Sequence, residues 1–265
     1  MNSLEDLLNI RKIVVSISGK GGSGKTTLCA LLLKALLQKS QRSILVVDAD
    51  PATNLPEVLG VKIGKTVGMV ASELREKIDR AAVPLGQSKA DLLETWVFHT
   101  LVETPEFDLL AMGRTEGEGC YCYVNSVLTR ILDVLTKNYD ITLMDMEAGL
   151  EHLSRRTDRD VDVLLIMTDP SRMGFETARR IRDLVKEVHI KVKKIFLIGN
   201  QFPETMENML SEHAQDIEVD YGGTLPTDPA ISRYNLEGKP LLAIPWDSPA
   251  AKAAQSIAHL TGLSP

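Results

Sequence analysis

The stretch that decides the fold is Gly19-Lys20-Gly21-Gly22-Ser23-Gly24-Lys25-Thr26-Thr27. Its spacing matches G-x-x-x-x-G-K-[ST], the pattern of a loop whose backbone N–H groups surround phosphate groups. The apolar run 13–17 before it predicts a buried strand, and the Leu- and Ala-rich run 28–37 after it predicts a helix. Because a helix N-terminus offers unpaired N–H groups to anions, this order predicts ATP or GTP with magnesium as the ligand.

Within the loop, the residues predicted to contact the nucleotide phosphates are Gly21, Gly22, Ser23, Gly24, Lys25, Thr26 and Thr27. A second lysine, Lys20, follows the first glycine, although a phosphate-binding loop of this kind needs only Lys25. Its place at the loop entrance suits a phosphate held outside the loop, by a neighbouring subunit. The motif therefore also predicts a nucleotide-gated homodimer.

Bulk properties narrow the class of protein. The 265 residues are 44% hydrophobic and 25% charged, which is typical of a globular chain. The net charge of −6 and the lack of a long basic run argue against nucleic acid as the main partner. No apolar run approaches the roughly twenty residues of a membrane span. With three cysteines, no disulfide framework and no signal peptide at residues 1–10, we expect a cytoplasmic protein.

Apolar runs that resemble strands alternate with helical patterns along the chain. This alternation predicts an α/β fold, with one doubly wound, mainly parallel sheet and helices on both faces. We expect a single domain over residues 1–265, with a helical insertion at about 61–106 that either contacts partners or only covers the core. Further strands are predicted at 43–47, 107–112, 140–144, 161–167, 195–198 and 223–225, and further helices at 125–136, 174–188, 204–213 and 249–260.

Carboxylates follow two of the predicted strands. Asp48 and Asp50 come after the second strand, where α/β sheets bind ligands, and they suit either a magnesium hydration shell or the orientation of an attacking water. A polar turn would explain the same residues. Asp145 ends an apolar run and is predicted to reach magnesium directly or through water. The run 146–152 then suits a switch that senses the γ-phosphate, and in it the role of His152 stays open.

Two of the three cysteines, Cys120 and Cys122, are one residue apart. In an extended segment both thiols point to one side, and two thiolates form half of a tetrahedral site for a soft metal. A symmetric dimer would supply the other half, so Ni²⁺ or Zn²⁺ at the dimer interface is predicted. Chance proximity is the alternative. Cys29, on the helix after the phosphate loop, is predicted to be a small buried apolar residue.

The extra lysine, the stretch Asp48-x-Asp50-Pro-x-x-Asn and the stretch Asp145-x-x-Ala-Gly together resemble the deviant-Walker-A ATPases, which include MinD, ParA and the nitrogenase iron protein. Asn200 and the loop Leu225-Pro226-Thr227 are similar to their adenine-contacting residues. With Cys120-x-Cys122 ahead of a predicted helix, the chain looks most like the CooC/AcsF family of nickel-insertion ATPases.

That resemblance implies residue roles. Lys20 would act across the dimer, Lys25 and Thr26 on phosphate and magnesium, Asp50 on the attacking water and Asp145 on magnesium. It also implies a nickel client, carbon monoxide dehydrogenase or acetyl-CoA synthase. The alternatives are an iron–sulfur carrier or redox ATPase of the nitrogenase iron protein type, because thiolates also hold such clusters, and a positioning ATPase of the MinD/ParA type.

Overall fold

A computed structural model describes residues 12–39, 42–80, 88–114, 131–147, 161–187 and 191–263. Within them lies one eight-stranded sheet of order β3-β4-β2-β5-β1-β6-β7-β8. Neighbouring strands are parallel except for the β3–β4 pair at one edge. The strands are β1 Ile13–Gly19, β2 Ile44–Ala49, β3 Val102–Glu103, β4 Asp108–Ala111, β5 Ile141–Met146, β6 Val161–Thr168, β7 Val192–Asn200 and β8 Asp220–Leu225.

Helices connect these strands, and several begin at a residue whose side chain caps the first turn. Thr66 accepts a hydrogen bond from the Met69 N–H group at the start of α3, and Asp228 accepts one from the Ala230 N–H group at the start of α8. The helices are α1 Lys25–Lys39, α2 Leu55–Leu59, α3 Val67–Asp79, α4 Lys89–Phe98, α5 at 131–138, α6 Arg172–Glu187, α7 Glu207–Asp216, α8 Pro229–Leu236 and α9 Pro249–Leu260.

Alternate residues of the central strands build two cores, one on each face of the sheet. On β2, Leu45 and Val47 pack in a cluster with α3, α4, α6 and α7. Ile44 and Val46 pack in the other cluster, with α1, α2 and α9. The predicted α/β fold, with a mainly parallel sheet covered on both faces, is therefore confirmed.

The segment 240–246 is attached to the helix that follows the phosphate loop. Lys34 of α1 is almost buried, and its Nζ donates to the carbonyl oxygen of Leu242 at 2.7 Å. The same ammonium lies 4.0 Å from the ring centroid of Trp246. Leu31 packs with Ile244 and with the small residues of α9. Burial lowers the pKa of Lys34, as expected for an ammonium drawn towards the core.

Element boundaries differ from the predictions in a few places. A 3₁₀ turn at Glu204–Met206 precedes α7, which begins at Glu207, three residues later than predicted. The short helix α8 was not predicted because it spans only eight residues and its apolar side chains, such as Ile231 and Tyr234, are only partly buried. In the described parts of 61–106, which leave out 81–87, the helices are α3 and α4. The division into domains stays a prediction. No helix among the described residues is long and apolar enough to cross a membrane.

Candidate nucleotide and magnesium site

The phosphate loop lies between β1 and α1 and is held in shape from β7. The Ser23 N–H group donates to the Lys20 carbonyl oxygen at 3.1 Å, which closes the turn. Asn200, the last residue of β7, donates from Nδ2 to the Ser23 carbonyl oxygen at 2.9 Å. Gly24 has φ +93°, and a Cβ atom there would lie 2.5 Å from Asn200 Nδ2. Position 24 therefore needs glycine for both its backbone conformation and its contact with Asn200.

The loop carries backbone and side-chain groups that can bind an anion. A Cβ atom added at Gly21 or Gly22 would meet nothing within 4 Å, so a ligand can approach the backbone there. Lys25 is 7% exposed, and its Nζ donates across the loop to the Lys20 carbonyl oxygen at 3.3 Å. The Ser23 Oγ atom is buried and finds no hydrogen-bond partner in the described part of the chain. These donors fit phosphate oxygens.

Two carboxylates lie beside this loop on neighbouring strands. Asp48 of β2 and Asp145 of β5 are partners in the parallel register, and both are buried. Burial and, second, the charge of Asp145 together raise the pKa of Asp48 to about 7. Burial also raises the pKa of Asp145 to about 6, against the hydrogen bond from Thr26 and the charge of Lys25. Two buried carboxylates held together favour a cation between or beside them.

The two carboxylates differ in their hydrogen bonds. Asp145 Oδ2 accepts from the Thr26 hydroxyl at 2.6 Å, whereas its buried Oδ1 has no partner within the described segments. Asp48 accepts from the N–H groups of Asp50 at 3.1 Å and Leu55 at 3.0 Å. The Thr26–Asp145 pair therefore fits the hydroxyl and carboxylate ligands of magnesium. Asp48 also organises the loop that carries Asp50.

Asp50 lies at the turn after β2. Its Oδ1 accepts from the Ala52 N–H group at 2.9 Å, and the left-handed residue Thr53, with φ +54°, completes the turn. The charge of Asp50 contributes to the raised pKa of both Asp48 and Asp145, so it lies close to the pair. This position suits the predicted role of Asp50 beside the reacting phosphate.

Lys20 contacts a residue of its own chain. Its Nζ forms an ion pair with Asp169 Oδ2 at 2.7 Å and lies 3.4 Å from the Ser171 hydroxyl. Burial disfavours the Asp169 carboxylate, but hydrogen bonds from Lys20 and Ser171 outweigh this and lower its pKa. Neither Asp169 nor Ser171 was predicted from the sequence as a site residue. The available signal was their place directly after β6, at the edge of the sheet where the other site residues lie.

Asn200 of β7 and Leu225 of β8, both predicted to contact the base, are partners in register. The Gln201 N–H group donates to the Leu225 carbonyl oxygen at 2.8 Å, which joins the two strand ends. Pro226 and Thr227 follow before Asp228 caps α8. The structure thus brings together Asn200 and the loop 225–227, and their contact with a base stays a prediction.

The predicted metal ligands Cys120 and Cys122, and the switch residues Gly149 and His152, lie outside the described residues. In the part of the chain that the structure does describe, no group of three or more His, Cys, Asp or Glu side chains could hold a metal ion. Cys29 is fully buried, as predicted. Burial raises its pKa well above the usual value, with further contributions from the charges of Asp145 and Asp48.

The fold and the phosphate loop define a nucleotide-binding protein. The chain belongs to the CobQ/CobB/MinD/ParA nucleotide-binding domain family, whose model matches residues 14–241. It is 45% identical over 247 residues to an uncharacterised ATP-binding protein of Methanocaldococcus jannaschii, covering 93% of this chain and 97% of that protein. The predicted deviant-Walker-A relationship and the predicted ATPase class are therefore confirmed at the level of this family.

Other relatives are more distant. The carbon monoxide dehydrogenase accessory protein CooC of Rhodospirillum rubrum is 29% identical over 241 residues, covering 84% of this chain and 87% of that protein. Among solved structures, a ParA family ATPase of Chlorobium tepidum matches with a TM-score of 0.69 at 18% identity, covering 95% and 99% of the two chains. MinD of Aquifex aeolicus matches with a TM-score of 0.66 at 21% identity, covering 94% and 95%. These structures show the same fold.

Proposed function

We propose that this ATPase inserts nickel into a client enzyme in the cytoplasm and works as a homodimer gated by ATP and metal. The observation that carries the proposal is the Cys120-x-Cys122 pair in a chain related to CooC over most of its length. The client class, carbon monoxide dehydrogenase or acetyl-CoA synthase, follows from that relationship. Nickel is the cargo here, and zinc is an alternative ion for the same thiolates.

ATP would lie in the phosphate loop, with Lys25 facing the β- and γ-phosphates and Asn200 beside the base. Thr26 and Asp145 would hold Mg²⁺, with Asp48 behind them, because the unpartnered Asp145 Oδ1 is the available carboxylate oxygen. When bound, the ion neutralises phosphate charge. Asp50 would orient the attacking water, since its turn places it next to the acidic pair.

Lys20 would cross the interface and contact the γ-phosphate bound by the partner subunit. A cation supplied in trans stabilises the charge that develops during phosphoryl transfer, as an arginine finger does. ATP hydrolysis would then require the dimer. This requirement couples the state of the nucleotide to the distance between the two cysteine pairs.

The cargo site would form only in that dimer. Each chain offers Cys120 and Cys122, and a tetrahedral site needs four ligands, which a two-fold axis provides. Zinc would take a tetrahedral arrangement and nickel a planar one. Since ligation requires thiolates, metal binding should release protons and weaken as the pH falls. Because metal and ATP both favour the dimer, each should tighten the binding of the other.

A titration of nickel or zinc with mass measurement in solution tests the proposal. We expect about one ion per two chains in the parent, and none at this site in the variant that combines Cys120→Ser and Cys122→Ser. Cys29→Ala is the matched control, because it removes the buried third thiol and should leave metal binding unchanged. One ion per chain without a change in mass would refute the shared site. Iron and sulfide in a brown preparation would favour the iron–sulfur carrier instead.

A further inference from the structure

Asp169, which pairs with Lys20 of the same chain, is held in place by contacts that do not involve Lys20. Asp169 Oδ1 accepts hydrogen bonds from the hydroxyl and, at 3.3 Å, from the N–H group of Ser171. The Ser171 hydroxyl in turn accepts from the Gly174 N–H group at 3.0 Å, in the first turn of α6. Asp169 is therefore fixed at the start of α6, with its Oδ2 directed at the Lys20 ammonium.

The packing around this carboxylate is close. A Cβ atom added at Gly174 would lie 2.4 Å from Asp169 Oδ1 and 2.7 Å from the Thr168 hydroxyl. Any larger residue at position 174 would push the carboxylate away from its place. The lowered pKa of Asp169 agrees with a carboxylate that stays charged beside Lys20. The ion pair is thus a built contact and not a chance meeting of two surface side chains.

We propose that Asp169 is a positioning residue that retains Lys20 within its own subunit until the nucleotide-bound dimer forms. The inference rests on the proposed action of Lys20 in trans. If Lys20 reached the partner's γ-phosphate with Asp169 still bound, the carboxylate and the phosphate would be brought close together, and like charges at that distance repel. Dimer formation therefore includes the release of one Lys20–Asp169 pair in each subunit.

This exchange has a measurable size. The side chains of Lys20 and Asp169 are 35% and 30% exposed, so the pair is only partly shielded from water. Releasing such a pair changes an equilibrium by about two- to fivefold. Since each dimer releases two pairs, removing Asp169 should tighten the dimer by the product, about 4- to 25-fold. The cis pair would thereby keep nucleotide-free subunits apart and make ATP the trigger for association.

The test compares dimer dissociation constants by sedimentation, with Mg²⁺ and a non-hydrolysable ATP analogue. Asp169→Asn keeps the shape of the side chain and removes its charge, and it should tighten the dimer by the factor above. Asp169→Glu keeps the charge and should return the constant towards that of the parent. Glu73→Gln is the matched control, because it removes the carboxylate of another lysine pair of the same length, Lys65–Glu73 at 2.7 Å. It should leave the constant unchanged.

A Lys20→Ala variant separates this inference from the proposed function. If Lys20→Ala hydrolyses ATP poorly and Asp169→Asn dimerises no more tightly than the parent, the retention of Lys20 in cis is wrong while its action in trans stands. A looser dimer in Asp169→Asn would also overturn the inference, because it would mean that Asp169 supports Lys20 within the dimer. If Lys20→Ala hydrolyses ATP and dimerises like the parent, the action in trans fails, and the inference fails with it.

Discussion

Magnesium-free protein should lose stability as the pH rises from 5 to 8, because of the buried carboxylates Asp48 and Asp145. Their pKa values are about 7 and about 6 in the folded chain, against 3.8 as the usual value. Over most of this interval the folded chain therefore binds protons that the unfolded chain has already lost. A group with a raised pKa stabilises the folded state at low pH, and this contribution is lost as the pH rises through the folded pKa.

The size of the effect follows from the two values. Each proton that the folded chain binds and the unfolded chain does not changes the free energy of unfolding by about 1.4 kcal/mol per pH unit. For Asp48 this applies over about two pH units and for Asp145 over about one, so the loss is roughly 4 kcal/mol. For a chain of this size that corresponds to about 10 °C in the melting temperature. Among the residues that the structure describes, four other carboxylates have lowered pKa values and stay ionised above pH 5, namely Asp169, Asp228, Glu218 and Glu237.

Urea unfolding in EDTA at pH 5, 6, 7 and 8 measures this dependence. In Asp145→Asn, the loss of unfolding free energy between pH 5 and 8 should be less than about two-thirds of the loss in the parent. The variant lacks one titrating group, and it also lacks one charge that raises the pKa of Asp48. Asparagine can still accept the hydrogen bond from Thr26. Glu73→Gln, with the same change of charge at a surface ion pair, should keep the parent slope. Stability that stays level or rises between pH 5 and 8, or a full slope in Asp145→Asn, would refute the reasoning.

Three further experiments test the site. Lys25→Ala should lose nucleotide binding or turnover because the charge facing the β- and γ-phosphates is gone, and unchanged turnover would exclude the assigned role. Lys20→Ala should bind ATP but hydrolyse it poorly, and mixing it with Asp50→Ala should restore some activity in heterodimers; no recovery would contradict action in trans. Gly24→Ala should lower the free energy of unfolding, measured in urea, by about 1–3 kcal/mol. The reason is that φ is +93° at this position and an added Cβ atom would clash with Asn200 Nδ2.

The fold and the centre of the site could be predicted from the sequence because their signals are local. The loop 19–27 carries its own spacing, and Asp48 and Asp145 each end an apolar run. Each of these residues was predicted at the end of a strand, and because parallel strands end at the same edge of a sheet, the register pairs the two carboxylates directly. The roles assigned to the site residues stay predictions.

What could not be predicted depends on contacts between distant positions. Asp169 follows β6 in an Asp-Pro-Ser turn, and such turns are common whether or not they bind anything. Its pairing with Lys20 joins positions 149 residues apart, which no local pattern reports. Helix α8 was missed because it is short. Asp228 and Pro229 are start signals, but two partly buried side chains, Ile231 and Tyr234, make only a weak apolar pattern.

The attachment of Lys34 to the segment after residue 241 bears on where this protein can be cut. The family match ends at Leu241, yet the ammonium of Lys34 is satisfied by Leu242 and Trp246, beyond that limit. A fragment trimmed to the recognisable sequence would leave this cation without its acceptor and would uncover Leu31 along α1. The shortest piece worth expressing is therefore longer than the piece that carries the family resemblance, and it includes the last helix.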